Sequence, residues 1–197
     1  MKIVIPLSLM KNIIYLIFFL LIQSACAEVK INTEVRVRNG EWANQIIGST
    51  LSNWYKINND IYRSKQPDEE DFKQINKFGI KSVLNLRYYH DDNDETKGLK
   101  LRLFHLPLNA GGINQKDIIN AIRIINDAEK PLLIHCWHGS DRTGAVIAAY
   151  RIVFDGWSVN EAIDEMINGG YGFHSFYSNI PKLLKSIDWK EIKTKMH

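Results

Sequence analysis

The sequence predicts an α/β domain with a central, mostly parallel sheet flanked by helices. Three observations carry this. From about residue 55 onward, strand-like and helix-like segments alternate. The run PLLIHC (131–136) is almost wholly apolar, as a strand buried on both faces would be. The segment TGAVIAAYRIVF (143–154) follows as an Ala-rich helix with few polar residues, a pattern that fits a helix covered on most sides. In sheets of this kind ligands sit beyond the carboxyl ends of the strands. The residues directly after PLLIHC are therefore the first place to look for chemistry.

The N-terminus reads differently from the rest. Lys2 and Lys11 supply positive charge, Ile13 to Ile22 is an apolar run, and Ala25-Cys26-Ala27 ends in small residues. These are the parts of a secretory signal peptide over residues 1–27. Pro6, Ser8, Lys11 and Asn12 interrupt the apolar stretch, which argues against an uncleaved anchor. Gln23 stands where a lipoprotein site usually has leucine, which argues against cleavage before Cys26. A cut after Ala27 leaves 23 basic and 22 acidic residues, no charge excess that would call for nucleic acid or an anionic membrane. It also leaves Cys136 as the single cysteine, so no internal disulfide can form. The mature chain is expected to be an exported, periplasmic monomer, with one domain over 28–197 and residues 28–53 as an N-terminal extension.

Along that domain, Asn39-Gly40 marks a turn. KINNDIYRS (56–64) reads as two short strands around Asn58-Asn59. QPDEEDFKQINKFG (66–79) reads as a helix capped by Asp68, with Phe72, Ile75 and Phe78 on its apolar stripe and Gly79 ending it. IKSVLNL (80–86) and LRLFHLPL (101–108) are strands. The acidic run DDNDE (91–95) reads as a solvated loop. A second helix starts near Asn114, with Ile118, Ile119, Ile122 and Ile125 as its stripe. SVNE (158–161) is a capping box. GGYG (169–172) is a loop, and a last amphipathic helix runs over about 181–193.

The stretch LLIHCWHGSDRTG (132–144) concentrates the chemistry. A metal site needs three or four ligands. His135 and Cys136 are adjacent on a strand and point to opposite faces, while His90, His105, His174 and His197 are scattered singly along the sequence. A dithiol site needs a second cysteine. A nucleophile reading uses more of the residues. A loop from a strand end into a helix N-terminus aims several backbone N–H groups at one spot and binds an anion. Gly139 and Gly144 let the backbone curl and approach closely. Arg142, in the first helical turn, can close the ring over a phosphate bidentately. Cysteines at helix N-termini and beside cations ionise below their ordinary range, and a thiolate held against a phosphate ester can attack phosphorus.

HCWHGSDRTG resembles the His-Cys-x5-Arg-Thr/Ser-Gly signature of the cysteine-dependent protein tyrosine and dual-specificity phosphatase superfamily. IYRSKQP (61–67), VLNLR (83–87), YRIVFDGWSVNEAIDEM (150–166) and GGYGFH (169–174) also resemble its dual-specificity branch, and most of all small exported bacterial members. The resemblance covers roughly residues 54–177. It implies a dual-specificity phosphatase-like fold with the phosphate loop between the last core strand and the next helix. It implies Cys136 as nucleophile, Arg142 as the phosphate-binding arginine, and the amides of Trp137, His138, Gly139, Ser140, Asp141 and Arg142 as the cradle. Thr143 would bond the cysteine sulfur, and His135 would fix the loop with its side chain turned away from substrate. No metal or other cofactor is implied. The implied substrate is a phosphorylated protein, phosphotyrosine first, or a small phosphorylated molecule.

One departure matters. The loop PLNAGGINQ (107–115) has no carboxylate where the family places its proton donor, and Gly111 or Ala110 occupies that place. The next acid, Asp117, is a second candidate, though its place three after Asn114 also suits a helix-capping acid. Water or an already good leaving group is a third alternative. Asp141, inside the phosphate loop, resembles the aspartate of myotubularin-like lipid phosphatases, and it is the candidate acid. Alternatives are an inositol-phosphate or phosphoinositide phosphatase, a sulfurtransferase, and a phosphate-binding pseudophosphatase. The Arg-Thr-Gly continuation disfavours the sulfurtransferase, and Cys136 with Arg142 disfavours the pseudophosphatase.

Overall fold

The computed structural model describes residues 39–196. The expected signal peptide and the first part of the extension lie outside the described residues. Six strands form one sheet: β1 (Asn44–Gln45), β2 (Tyr55–Lys56), β3 (Ile61–Ser64), β4 (Ser82–Asn85), β5 (Arg102–His105) and β6 (Leu132–His135), in the order β1-β2-β3-β6-β4-β5. The two pairings that join β1, β2 and β3 are antiparallel, and the three that join β3, β6, β4 and β5 are parallel. Six helices flank the sheet: α1 (Glu69–Phe78), α2 (Gln115–Asp127), α3 (Asp141–Val153), α4 (Val159–Asn168), α5 (Asn179–Ser186) and α6 (Trp189–Met196).

The apolar run of β6 places it in the middle of this sheet, as a strand buried on both faces requires. Alternation divides its side chains between two cores. Leu132, Ile134 and Cys136 join Ile61, Leu84 and the apolar sides of α2 to α6. Leu133 joins Tyr62, Val83 and the Phe72–Ile75 side of α1. Each fully buried Leu or Ile contributes roughly 1.5–3 kcal/mol relative to exposure. In register, Ser64, His135 and Asn85 lie side by side, so β3, β6 and β4 end at one level. The chain leaving all three therefore meets at one rim, and Cys136 is the first residue beyond β6.

Local chemistry sets the helix ends as the sequence suggests. Capping boxes pair Asp68 with Asp71, Asn114 with Asp117, and Ser158 with Glu161. Gly79 stops α1 in the left-handed conformation, φ 102°. Three expectations need correction. The C-terminal helix is two helices, because Ile187 is extended and Asp188 accepts from the N–H groups of Lys190 and Glu191, starting α6 anew. That break lets Trp189 and Ile192 reach the core. Phe78 is half-exposed and leans on Trp54 and Tyr62 at ring distances of 5.1 and 5.6 Å. The segment read as a strand over 101–108 is a regular strand at Arg102–His105, beyond which the Leu106 and Leu108 amides still donate to the Asn85 and Leu86 carbonyls.

Behind the sheet a buried ion pair ties three segments together. Both Arg151 Nε and Nη2 donate to Glu165, at 2.8 and 3.0 Å. Glu165 Oε1 also accepts from the Ala43 amide and the Tyr171 hydroxyl. The described part of the N-terminal extension is thus bound into the domain, and Trp42 and Leu51 are buried with Ala43. Burial works against the Glu165 charge, but Arg151 and the two further donors outweigh it and hold its carboxyl below the ordinary range. Glu165→Ala is expected to cost about 3 kcal/mol, because it removes the buried acceptor of Arg151 Nε and Nη2 and leaves Asp155, at Nη1, as the remaining ion-pair partner. A carboxyl with a depressed folded-state value adds stability above its unfolded value, about pH 4.3, and loses it as pH falls through the folded value. Urea denaturation should therefore show the gap between wild type and Glu165→Ala at full size near pH 7 and shrinking in acid.

Candidate active site

The loop from Cys136 to Arg142 is held from outside by its carbonyls. The Trp137 carbonyl accepts from the Gln66 amide at 3.1 Å. The His138 carbonyl accepts from Asn53 Nδ2 at 2.9 Å, and the Gly139 carbonyl from Arg63 Nη2 at 2.6 Å. Among the described residues no group accepts from the amides of Trp137, His138, Gly139 or Ser140. Carbonyls engaged outward and amides left unengaged are the makings of an anion cradle. Gly139 is needed for this: its φ is +73°, and a Cβ there would lie 2.4 Å from the Ser64 carbonyl oxygen. Gly144 is needed for packing, since a Cβ would meet Met166 at 2.8 Å. The Ser140 hydroxyl donates to the Tyr171 carbonyl at 2.8 Å and ties the cradle to the GGYG loop.

Cys136 is a free, buried thiol at the base of the loop. Arg142 sits in the first turn of α3, near the Leu86 and Leu108 carbonyls at 3.4 and 3.5 Å. It lines a cleft of about 330 Å³ with Tyr88, Tyr89, Leu108, Asn109, Ala110 and Tyr177. Arg87 stacks on the Trp137 ring, 4.3 Å from its centroid. Burial and the neighbouring Arg142 both push Arg87 down from its ordinary value, so two cations bear on one place.

His135 lies on the opposite face of β6 from Cys136. Its Nε2 meets Asp92 Oδ2 at 2.8 Å, and Gln66 Nε2 donates to Asp92 Oδ1 at 2.8 Å. Burial favours the neutral form of Asp92, but His135 and then Gln66 outweigh it and hold the carboxyl below its ordinary range. The acidic run is therefore only partly a solvated loop. Asp91 and Asp94 are exposed, while Asp92 turns inward as the histidine's partner. Nor is His174 isolated: its amide and Nδ1 meet the two Asp141 oxygens at 2.9 and 2.8 Å, and its ring lies 5.4 Å from that of His138.

A model of the tyrosine phosphatase family matches residues 50–179. The chain belongs to the tyrosine phosphatase family. Within the family it is 32% identical over 138 residues to the dual specificity protein phosphatase TpbA of Pseudomonas aeruginosa, a match covering 68% of this chain and 62% of that protein. The chain thus spans less than two thirds of that relative's length. It is 29% identical over 126 residues to the inositol diphosphatase SIW14 of Saccharomyces cerevisiae, covering 57% of this chain and 43% of that one. Among solved structures, that of TpbA superposes with a TM-score of 0.73 at 28% identity, covering 80% of this chain and 98% of that one. The core catalytic domain of SIW14 follows with a TM-score of 0.63 at 25% identity, covering 74% and 91%. The fold is the phosphatase fold that the signature implied.

Set against this family, the structure brings Cys136, the cradle amides and Arg142 to one rim and turns His135 away from it. Thr143 is close in sequence, but its buried hydroxyl has no hydrogen-bond partner among the described residues. Asp117 is engaged at the cap of α2, where its Oδ2 accepts from the Asn114 amide. Asp141 is buried and faces His174. Two clusters have the residue types of a metal site, His138 with Asp141 and His174, and His90 with Asp92 and Glu95. In both, members already pair with one another. Sequence reasoning missed Asn53, Arg63, Gln66, Asp92 and His174 as parts of the site. Arg63 and Gln66 lie inside IYRSKQP and His174 ends GGYGFH, which were legible only as resemblance; Asn53 and Asp92 carried no signal of their own.

Gly139→Ala tests the cradle. Positive φ and the Ser64 contact together should destabilise the chain by about 1–3 kcal/mol or displace the loop. Chemical denaturation measures the first, and vanadate or phosphate affinity the second. Unchanged stability and affinity would mean the loop does not need this conformation.

Proposed function

We propose that the chain is an exported phosphomonoester hydrolase that works through a phosphocysteine on Cys136, with phosphotyrosine as its first substrate. The observation that carries this reading is the cradle: three loop carbonyls bonded outward, the amides unengaged, and Arg142 at the first turn of the following helix. The Cys136 thiolate attacks phosphorus as the ester P–O bond breaks. The departing oxygen takes a proton, and water then cleaves the S–P bond to release phosphate and regenerate the thiolate. Arg142 and the amides bind the equatorial oxygens, most strongly when their charge peaks. Thr143, with its buried and unengaged hydroxyl, suits a bond to the sulfur as it becomes the leaving group.

Tyr88, Tyr89 and Tyr177 around the cleft beside Arg142 favour an aromatic phosphoester. The loop carries no lysine, which disfavours a densely charged inositol phosphate. The TpbA structure in complex with pTyr supports the same substrate class. The likeness to SIW14 supports the second reading, an inositol diphosphate substrate. A panel of phosphotyrosine, phosphoserine and phosphothreonine peptides beside inositol diphosphates decides between them.

In this reading Asp141 supplies the leaving-group proton, acting together with His174, which meets both of its oxygens. Its rival Asp117 is committed to a helix cap. Asp141→Asn should slow hydrolysis of phenyl phosphates with poor leaving groups by about 10²-fold or more, with far less effect on good ones. Asp117→Asn should leave both classes unchanged. Equal rates for wild type and Asp141→Asn on poor leaving groups would remove Asp141 from the role.

Cys136→Ser should abolish turnover, while chelators should leave wild-type turnover intact. A phosphate-binding module without activity would form no phosphocysteine on rapid quench. Turnover by Cys136→Ser would refute the mechanism.

A further inference from the structure

The most unusual charge in the described structure is Arg63. It is 1% exposed, in the interior rather than at the cleft. Its Nη2 donates to the Gly139 carbonyl, and its guanidinium lies 3.7 Å from the centroid of the Tyr171 ring. Its Nε is buried with no hydrogen-bond partner. Among the described residues no carboxylate forms an ion pair with it. Glu165, whose charge bears on it, is committed to Arg151, the Ala43 amide and the Tyr171 hydroxyl. A carbonyl and a ring face offset only part of the cost of burying a cation without an anion.

The register shows where an anion would sit. Arg63 on β3 is paired with Ile134 on β6, so their side chains share a face. Ile134 and Cys136 share that same face by alternation, and both belong to the same core. We infer that Arg63 is a positioning residue for the Cys136 thiolate: a permanently buried positive charge behind the phosphate loop that keeps the sulfur ionised and holds the Gly139 carbonyl outward. The inference rests on Cys136 being the nucleophile of the proposed hydrolase. Burial pushes Arg63 down from its ordinary value, and its ionisable neighbours Tyr171, Glu165, Cys136 and Tyr55 oppose this. The other ionisable groups around the sulfur are differently placed. Arg142 of α3 lines the open cleft, and Arg87 after β4 stacks on half-exposed Trp137. His135 is on the far face with Asp92, and Asp141 pairs with His174. Arg142 and Arg87 can turn to substrate, whereas Arg63 cannot leave.

Two variants separate charge from shape. Arg63→Gln keeps a donor for the Gly139 carbonyl but no charge, and Arg63→Lys keeps the charge. Iodoacetamide alkylation of Cys136 across pH reads the thiolate without any turnover. For Arg63→Gln the profile should move to higher pH by about one unit, a tenfold slower alkylation at pH 6. Arg63→Lys should stay near wild type. Coincident profiles for the two variants would overturn the inference. If Arg63→Gln does not fold, the wild-type chain still decides. The ¹⁵N resonance of Arg63 Nε should titrate with the alkylation midpoint in wild type and stay flat in Cys136→Ser, and a flat wild-type line would overturn it. Retained turnover in Cys136→Ser would instead sink the proposed hydrolase, so the two failures are distinguishable.

Discussion

The outward bonding of three consecutive carbonyls is the constraint on which the rest of the site depends. A peptide plane whose carbonyl is tied in one direction presents its N–H in the other. The Gln66 amide, Asn53 Nδ2 and Arg63 Nη2 fix the planes after Trp137, His138 and Gly139. The amides of His138, Gly139 and Ser140 belong to those same planes, and they have no acceptor among the described residues. The parallel pairing of β3 with β6 brings Lys65 and Gln66 beside the loop at all. The left-handed Gly139 lets the loop approach the Ser64 carbonyl closely. Sheet, turn residue and donor set therefore serve one end, a concave array of donors.

Charge is distributed around this array in layers. Arg142 and Arg87 stand at the open side, Arg63 stands behind, and His135 with Asp92 lies across the sheet. Each buried acid in this region has partners: Asp92 has His135 and Gln66, Glu165 has Arg151 and Tyr171, and Asp141 has His174. Among the described residues Arg63 stands apart as a buried cation with no carboxylate in an ion pair with it. Positive charge that is not neutralised suits the thiolate and phosphate dianion of the proposed mechanism.

Much of the fold was legible in the sequence because its signals are local. Alternation of periodicities, the apolar run of β6, the caps at Asp68, Asn114 and Ser158, and the turn at Asn39-Gly40 all act within a few residues. The C-terminal helix was misread as one piece because the periodic stripe continues through Ile187 and Asp188. Asp92 was misread because a run of acids looks solvated from composition alone. Its burial depends on a histidine 43 positions away in sequence. The same reason hid His174, which reaches Asp141 across 33 positions.

By itself the sequence determined that a cysteine and an arginine stand at a strand-to-helix turn, with glycines where the backbone must curl. Backbone propensity and side-chain chemistry act locally, so these residues mark the turn as a candidate anion loop. What only the tertiary structure decided is what surrounds that loop. It brought Asn53, Arg63 and Gln66 onto its carbonyls, Asp92 onto His135 and His174 onto Asp141. Those contacts are set by strand order and register, which depend on long-range packing rather than on any neighbouring residue.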